Sequence, residues 1–230
     1  MRIYVPEVVE GQEWILCRYA DDYDLFNQLG GRQQSGWDPP QMYFLREKED
    51  GAGRRYSDFP WHGEHVLILR SRALELLRPD LEPYGEFLPL RADETVSLFN
   101  VTTVVDALDE ERSQIVRFDD GGVLTIERHV FRPDAIGDAQ IFKLPERHDG
   151  VRVSSIYLQE TIVRRIGELG LKGVAFDMVW SDEDIPAGEE TDIEYPCGEP
   201  VSVPRSRWRA ISNLLGLGSA LDTDWQLKQR

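Results

Sequence analysis

The sequence predicts an α+β fold in which one long amphipathic helix packs on a mainly antiparallel sheet. Short β-rich runs follow one another from residue 86 to residue 180, and a hairpin turn signal, Asp-Asp-Gly-Gly, separates two of them at 119–122. The clearest helical period lies at about 155–169, where Leu158, Ile162, Ile166 and Leu169 recur at the spacing of a core-facing stripe. Gly170 follows as a suitable C-terminal stop.

The first 85 residues are predicted to form a smaller N-terminal α/β part. Strands are expected at 2–5, 14–19, 42–45 and 65–70, and Ser71 is expected to cap a helix over 72–77 that Pro79 ends. Residues 21–63 are rich in Gly and Pro, which indicates long loops around one strand or a short hairpin. A break at Tyr84-Gly85 then separates this part from a β-rich core at 86–180.

Seven strands are predicted within 86–180, with a helical turn at 133–136 between the fourth and the fifth of them. Their expected ranges are 87–90, 95–101, 114–118, 123–127, 140–144, 151–154 and 173–180. Between the second and third of them, Thr103 and Asp106 have the spacing of a capping box, which predicts a helical turn over 104–108. Asn100, Asp109 and Ser113 complete the polar positions of this turn, and all five are interpreted as structural.

Residues 181–230 are predicted to form an acidic loop followed by a C-terminal amphipathic helix at 205–217. The segment 181–204 has eight acidic residues and neither Lys nor Arg, so it holds half of the formal net charge of −16. Its Pro and Gly residues predict an irregular, exposed conformation. A solvated loop without any role and a surface that binds a partner are both compatible with this composition. The residues predicted to bind a partner are Asp182, Glu183, Asp184, Glu189, Glu190, Asp192 and Glu194.

The overall charge excludes a general basic surface for nucleic acid or anionic lipid, and it favours a basic partner. Only two cysteines are present, Cys17 and Cys197, which gives no disulfide framework and no zinc motif. The sequence shows no signal peptide and no apolar run near the roughly 18 residues of a membrane span, so we expect a cytoplasmic protein.

Enzyme motifs are scarce in this sequence. There is no phosphate-binding loop, dinucleotide fingerprint or nucleophile elbow. His62, Glu64 and His65 lie within four residues, but metalloprotease zinc sites place their two histidines four residues apart on one helix face. A metal-dependent hydrolase that uses these three residues therefore stays open as an alternative, although no cofactor is expected.

Several short stretches occur in a fixed order between about residue 66 and residue 180. They are Ser-Arg-Ala-Leu-Glu-Leu-Leu at 71–77, Leu-Phe-Asn-Val-Thr-Thr-Val-Val-Asp-Ala-Leu-Asp-Glu-Glu-Arg-Ser at 98–113, Ile-Phe-Lys at 141–143, Val-Arg-Val-Ser at 151–154 and Gly-Leu-Lys-Gly-Val-Ala-Phe at 170–176. This ordered set resembles a bacterial immunity protein family of polymorphic toxin systems, long catalogued as a domain of unknown function. The resemblance covers roughly half of the chain.

The resemblance implies a protein without catalysis of its own that binds a secreted toxin domain and blocks it. Three functions are therefore carried forward: toxin neutralisation, an enzyme of unrecognised type, and a regulatory module that binds another protein. The identity of the toxin and the oligomeric state do not follow from the sequence.

Overall fold

A computed structural model describes residues 1–48, 50–117, 121, 123–145 and 155–183. All of them fall within one compact unit, Met1–Glu189; the second unit, Glu190–Arg230, lies outside the described residues. The predicted strand at 151–154 and the predicted helix at 205–217 also lie outside them.

Eleven strands and four α-helices are found in the described residues, together with short 3₁₀ turns at Ala20–Asp22 and Glu82–Tyr84. The strands are β1 Arg2–Val8, β2 Trp14–Cys17, β3 Met42–Leu45, β4 Leu67–Arg70, β5 Gly85–Leu90, β6 Val96–Val101, β7 Gln114–Arg117, β8 Val123–Arg128, β9 Ile141–Phe142, β10 Tyr157–Gln159 and β11 Val174–Ser181. The helices are α1 Tyr23–Asn27, α2 Ser71–Leu81, α3 Pro133–Ile136 and α4 Glu160–Glu168.

The strands form four sheets whose named pairs are all antiparallel. One sheet has the order β11-β1-β10-β9 and another the order β4-β6-β5, while β2 pairs with β3 and β7 with β8. The prediction of a mixed α and β protein with mainly antiparallel sheets is therefore confirmed. Strands from the first 85 residues pair with strands from 86–180 in both larger sheets, and the three-part division of the chain stays a prediction.

Two hydrophobic clusters support these sheets. The first joins β2, β3, β4, β5, β6 and α1 through residues such as Ile15, Phe26 and Leu98. The second joins β1, β9, β10 and α3 to the segment after β6, with Phe131 and Phe142 near its centre. All six residues of β6 are buried, as expected for the central strand of a sheet that is covered on both faces.

The helix predicted at 155–169 is wrong in its first part. Residues 157–159 form β10, and α4 spans only Glu160–Glu168. The backbone of Leu158 is paired with β1 on one side and with β9 on the other, so its side chain belongs to the sheet and not to the helical stripe. Ile162, Val163 and Ile166 are buried, and α4 contacts β1 and β10.

Helix α2 is longer than predicted, because Pro79 does not end it. The helix runs to Leu81 with Pro79 inside. A proline leaves the carbonyl four residues earlier without its helical partner. Here that residue is Glu75, which is exposed, as is Pro79 itself, so water can solvate the freed carbonyl. Ser71 is the first helical residue and makes no cap; the N-cap is Arg70.

Candidate partner-binding surface

The segment after β6 is extended, and the predicted helical turn and capping box at 103–108 are wrong. The backbone of this segment pairs with Lys143, which donates its N–H to the carbonyl of Thr103 and accepts from the N–H of Val105, both at 2.9 Å. Because these groups are taken by a neighbouring chain segment, no helical hydrogen bonds form. The Thr103 hydroxyl instead donates to the carbonyl of Tyr84 at 3.2 Å.

The other polar residues of this segment make contacts within it or with residues 130–132. The Asp109 carboxylate accepts from the N–H of Arg112 at 3.2 Å, and the Ser113 hydroxyl accepts from the N–H of Val130 at 3.0 Å. The Asp106 carboxylate lies 3.3 Å from the Arg132 guanidinium and is exposed. The structural role that the sequence indicated for these residues stays a prediction.

Asn100 and Lys143 are buried polar residues, and both hydrogen-bond to one loop of the N-terminal part. Each side chain is 1% exposed. Asn100 Nδ2 donates to the carbonyl of Arg32 at 2.9 Å and to Glu86 Oε1 at 2.8 Å. Lys143 Nζ donates to the carbonyl of Leu29 at 2.6 Å. The residue range 29–40 thus receives two donors from the region of the predicted family motif.

This segment, called here the 29–40 loop, contains no helical or strand residue. Its Gly31 has a φ of +84°, which favours glycine, and a Cβ there would lie 2.2 Å from Val104 Cγ2, so a larger residue would also displace the Val104 side chain. The N–H of Gln34 donates to Glu86 Oε1 at 2.7 Å. Trp37 Nε1 donates to the carbonyl of Pro89 at 2.8 Å. The loop is therefore attached to β5 at two points, through the backbone of Gln34 and the side chain of Trp37.

Most residues at the centre of the 29–40 loop are exposed. Arg32, Gln33, Ser35 and Gly36 are exposed, while Gln34 and Trp37 are partly buried. The sequence predicts a long loop region here but no binding surface. The signal that could have found it is the unusual length of a structureless connection inside a compact part, since such loops commonly have a function.

The three residues of the alternative metal site do not form a ligand set. The described residues contain no group of three or more His, Cys, Asp or Glu side chains that could hold a metal ion. His62 Nδ1 lies 2.9 Å from the carbonyl of Ile15, and its ring packs on Tyr23 and Phe26. Burial lowers the pKa of His62 to about 4, and burial together with nearby positive charge lowers the pKa of His65 to about 3. Both imidazoles are packed as neutral side chains.

Cys17 is also unsuited to nucleophilic chemistry at neutral pH. The residue is buried, and burial raises the pKa of its thiol to about 12, with the Asp22 carboxylate adding to the shift. Cys197 lies outside the described residues.

Two of the seven acidic residues predicted to bind a partner are described, and both are ion-paired. The Asp182 carboxylate binds the amino group of Met1, and Glu183 Oε2 lies 2.9 Å from Arg2 Nη2. Their side chains are 40% and 62% exposed. They follow β11 directly, so this end of the sheet carries their charges next to the start of β1. The others, Asp184, Glu189, Glu190, Asp192 and Glu194, lie outside the described residues.

None of the described helices is long and apolar enough to cross a membrane. No curated protein matches the chain. A family model does match: residues 91–180 fit the model described as the immunity protein family Imm11. This segment includes β6 to β11, the buried Asn100 and Lys143, and helix α4. The resemblance to an immunity protein family is thereby confirmed, and residues 91–180 form the part of the chain that matches Imm11.

Proposed function

We propose that this protein is an immunity protein that binds a cognate bacterial toxin domain and neutralises it, without catalysis of its own. The observation that carries the proposal is the match of residues 91–180 to the Imm11 immunity family. An immunity function requires a stable protein surface and no reactive group. The neutral, buried state of His62 and His65 and the raised thiol pKa of Cys17 are consistent with such a role.

A direct test is the rescue of cells that express the toxin. The partner used is the protein encoded by the open reading frame adjacent to this gene, since immunity genes lie beside toxin genes. We expect coexpression with this protein to restore growth, and the two proteins to co-purify as a complex. Absence of both rescue and complex formation would count decisively against the proposal.

We further propose that the partner is basic and that the acidic residues after β11 steer it. The formal charge of the chain is −16, and complementary charge mainly increases the association rate. Its effect decreases with salt, because the Debye length is about 8 Å at physiological ionic strength. The candidate residues are Asp182, Glu183, Asp184, Glu189, Glu190, Asp192 and Glu194.

Association kinetics at low and high salt test this second proposal. Neutralising Asp182, Glu183, Asp184, Glu189 and Glu190 together should slow association by about an order of magnitude at low salt. The matched control is the pair Asp182→Asn and Glu183→Gln alone. Cations at the start of the chain already balance these two charges, so we expect a smaller effect from the pair. An unchanged on-rate for the five-residue variant at low salt would remove the acidic segment from recognition.

A further inference from the structure

We propose that the 29–40 loop is the part of this protein that contacts the toxin, and that Arg32, Gln33 and Ser35 make the contacts. This inference rests on the proposed immunity function and adds a surface to it. The surface is separate from the acidic residues that follow β11.

Buried polar side chains hold the loop in place. Two buried side chains, Asn100 and Lys143, direct their donors to backbone carbonyls of this loop, at Arg32 and Leu29. A buried ammonium group is costly unless it is paired or hydrogen-bonded, and a simple apolar core would need neither residue. A loop whose backbone is fixed in advance loses less conformational entropy on binding, which increases affinity. The arrangement therefore suits a loop that must present one conformation.

The exposed side chains of the loop are polar, and one of them is a cation. The central residues, 32–36, are Arg-Gln-Gln-Ser-Gly, which offer one cation and several neutral hydrogen-bonding groups. Arg32 is exposed, and the structure shows no ion pair for its guanidinium within the described residues. Arginine is enriched at the centres of protein interfaces. The loop thus fits a polar protein surface that places a carboxylate opposite Arg32.

The position of the loop supports the same reading. Residues 29–40 precede the Imm11 segment, yet its attachments at Asn100, Val104 and Lys143 lie inside that segment. Residues inside the matched segment hold a loop that lies outside it. The fold of the matched segment can therefore be kept while the sequence of the loop changes. Functional residues are often found on loops that a rigid scaffold positions in this way.

The experiment uses the full chain and the protein encoded beside its gene. Wild-type protein is first tested for complex formation, and failure at this step refutes the immunity function itself. If the complex forms, amide hydrogen exchange is compared for free and bound protein. We expect slower exchange in the complex at residues 30–37. Unchanged exchange there would overturn the role of the loop while leaving the proposed function in place.

Variants then test the side chains. Arg32→Glu should weaken binding about tenfold or more, which corresponds to about 1.4 kcal/mol. Arg112→Glu is the matched control, because it makes the same charge change at a side chain that is 74% exposed and lies outside the loop. The double variant Gln33→Ala and Ser35→Ala should weaken binding without loss of stability. Equal affinity for wild type, Arg32→Glu and the double variant would refute the inference.

Discussion

Gly173 offers a sharp test of how the Imm11 segment contacts the N-terminal part. Its φ is +102°, and a Cβ built on it would lie 1.6 Å from Ser57 Oγ, 2.6 Å from Ser57 Cβ and 3.0 Å from Ser57 Cα. The neighbouring Lys172 carbonyl accepts from the N–H groups of Asp58 and Phe59 at 2.8 and 3.1 Å. Two backbone segments therefore meet at a distance that only glycine allows.

The expected cost of Gly173→Ala has two components. A left-handed conformation costs a non-glycine residue about 1–2 kcal/mol. Forcing an extra carbon into a packed site costs about 1–3 kcal/mol. Rotating the Ser57 hydroxyl cannot relieve the contact, because the Ser57 Cβ and Cα are also too close. We therefore expect a loss of about 3 kcal/mol or more in the free energy of unfolding.

Gly170→Ala is the matched control. Gly170 also has a positive φ, +61°, but no atom lies within 4 Å of its ideal Cβ position. This variant should show the conformational cost alone, about 1–2 kcal/mol. Urea unfolding followed by tryptophan fluorescence measures both variants against wild type.

A double variant identifies the steric contact. Adding Ser57→Gly to Gly173→Ala removes the two closest atoms, so part of the loss should be recovered beyond the sum of the single effects. If Gly170→Ala and Gly173→Ala destabilise equally, the close approach to Ser57 has no energetic consequence and the reasoning fails.

Three further predictions concern stability. Ile162→Ala should cost about 2–5 kcal/mol in urea unfolding because Ile162 is 4% exposed, and a cost below about 0.5 kcal/mol would contradict the packing of α4. Thr103→Val should cost about 1 kcal/mol through the lost hydrogen bond to the preceding turn, with no change in helix content by circular dichroism. Burial lowers the pKa values of His62, His65 and His129 to about 4, 3 and 4, whereas a histidine in the unfolded chain has a pKa of about 6.5. The unfolded state therefore binds more protons than the folded state as the pH falls below about 6.5. The contribution of these neutral histidines to the free energy of unfolding should be fully present above about pH 6.5 and should decrease as the pH falls towards 4. A free energy of unfolding that does not change between pH 6.5 and 5, where carboxylates barely titrate, would contradict the buried neutral state.

The strands were predictable where the sequence carries a local signal. Apolar runs at 65–70 and 95–101 correspond to β4 and β6, and the Pro133 turn is helical as expected. The errors occur where tertiary pairing decides. Residues 157–159 continue a helical stripe in the sequence, yet they form β10 because two neighbouring strands take up their backbone groups. A local period contains no information about which partner strands are available.

The same reason explains the false capping box. Thr103 and Asp106 have suitable spacing and residue types, and a helix start was a reasonable prediction. In the structure the backbone beside Thr103 is paired with Lys143, which lies forty positions later in the chain. The Val105 N–H already donates to the Lys143 carbonyl, so it does not donate to the Thr103 hydroxyl as it would at a capped helix start. The Thr103 hydroxyl donates to the Tyr84 carbonyl instead.

The candidate surface could not be predicted for a related reason. Asn100 and Lys143 belong to motifs that the sequence does reveal, but their partners, Arg32 and Leu29, are 68 and 114 residues away. A motif match identifies such polar residues but does not show which groups they hydrogen-bond to. Here they hold a loop that precedes the matched segment, so the Imm11 match covers the residues that hold the loop and not the exposed residues that we propose contact the toxin. Substitutions at Arg32, Gln33 or Ser35 leave every one of these attachments in place, because the carbonyls and not the side chains of the loop accept the buried donors. Partner specificity and fold stability are thus assigned to different residues of the same contact.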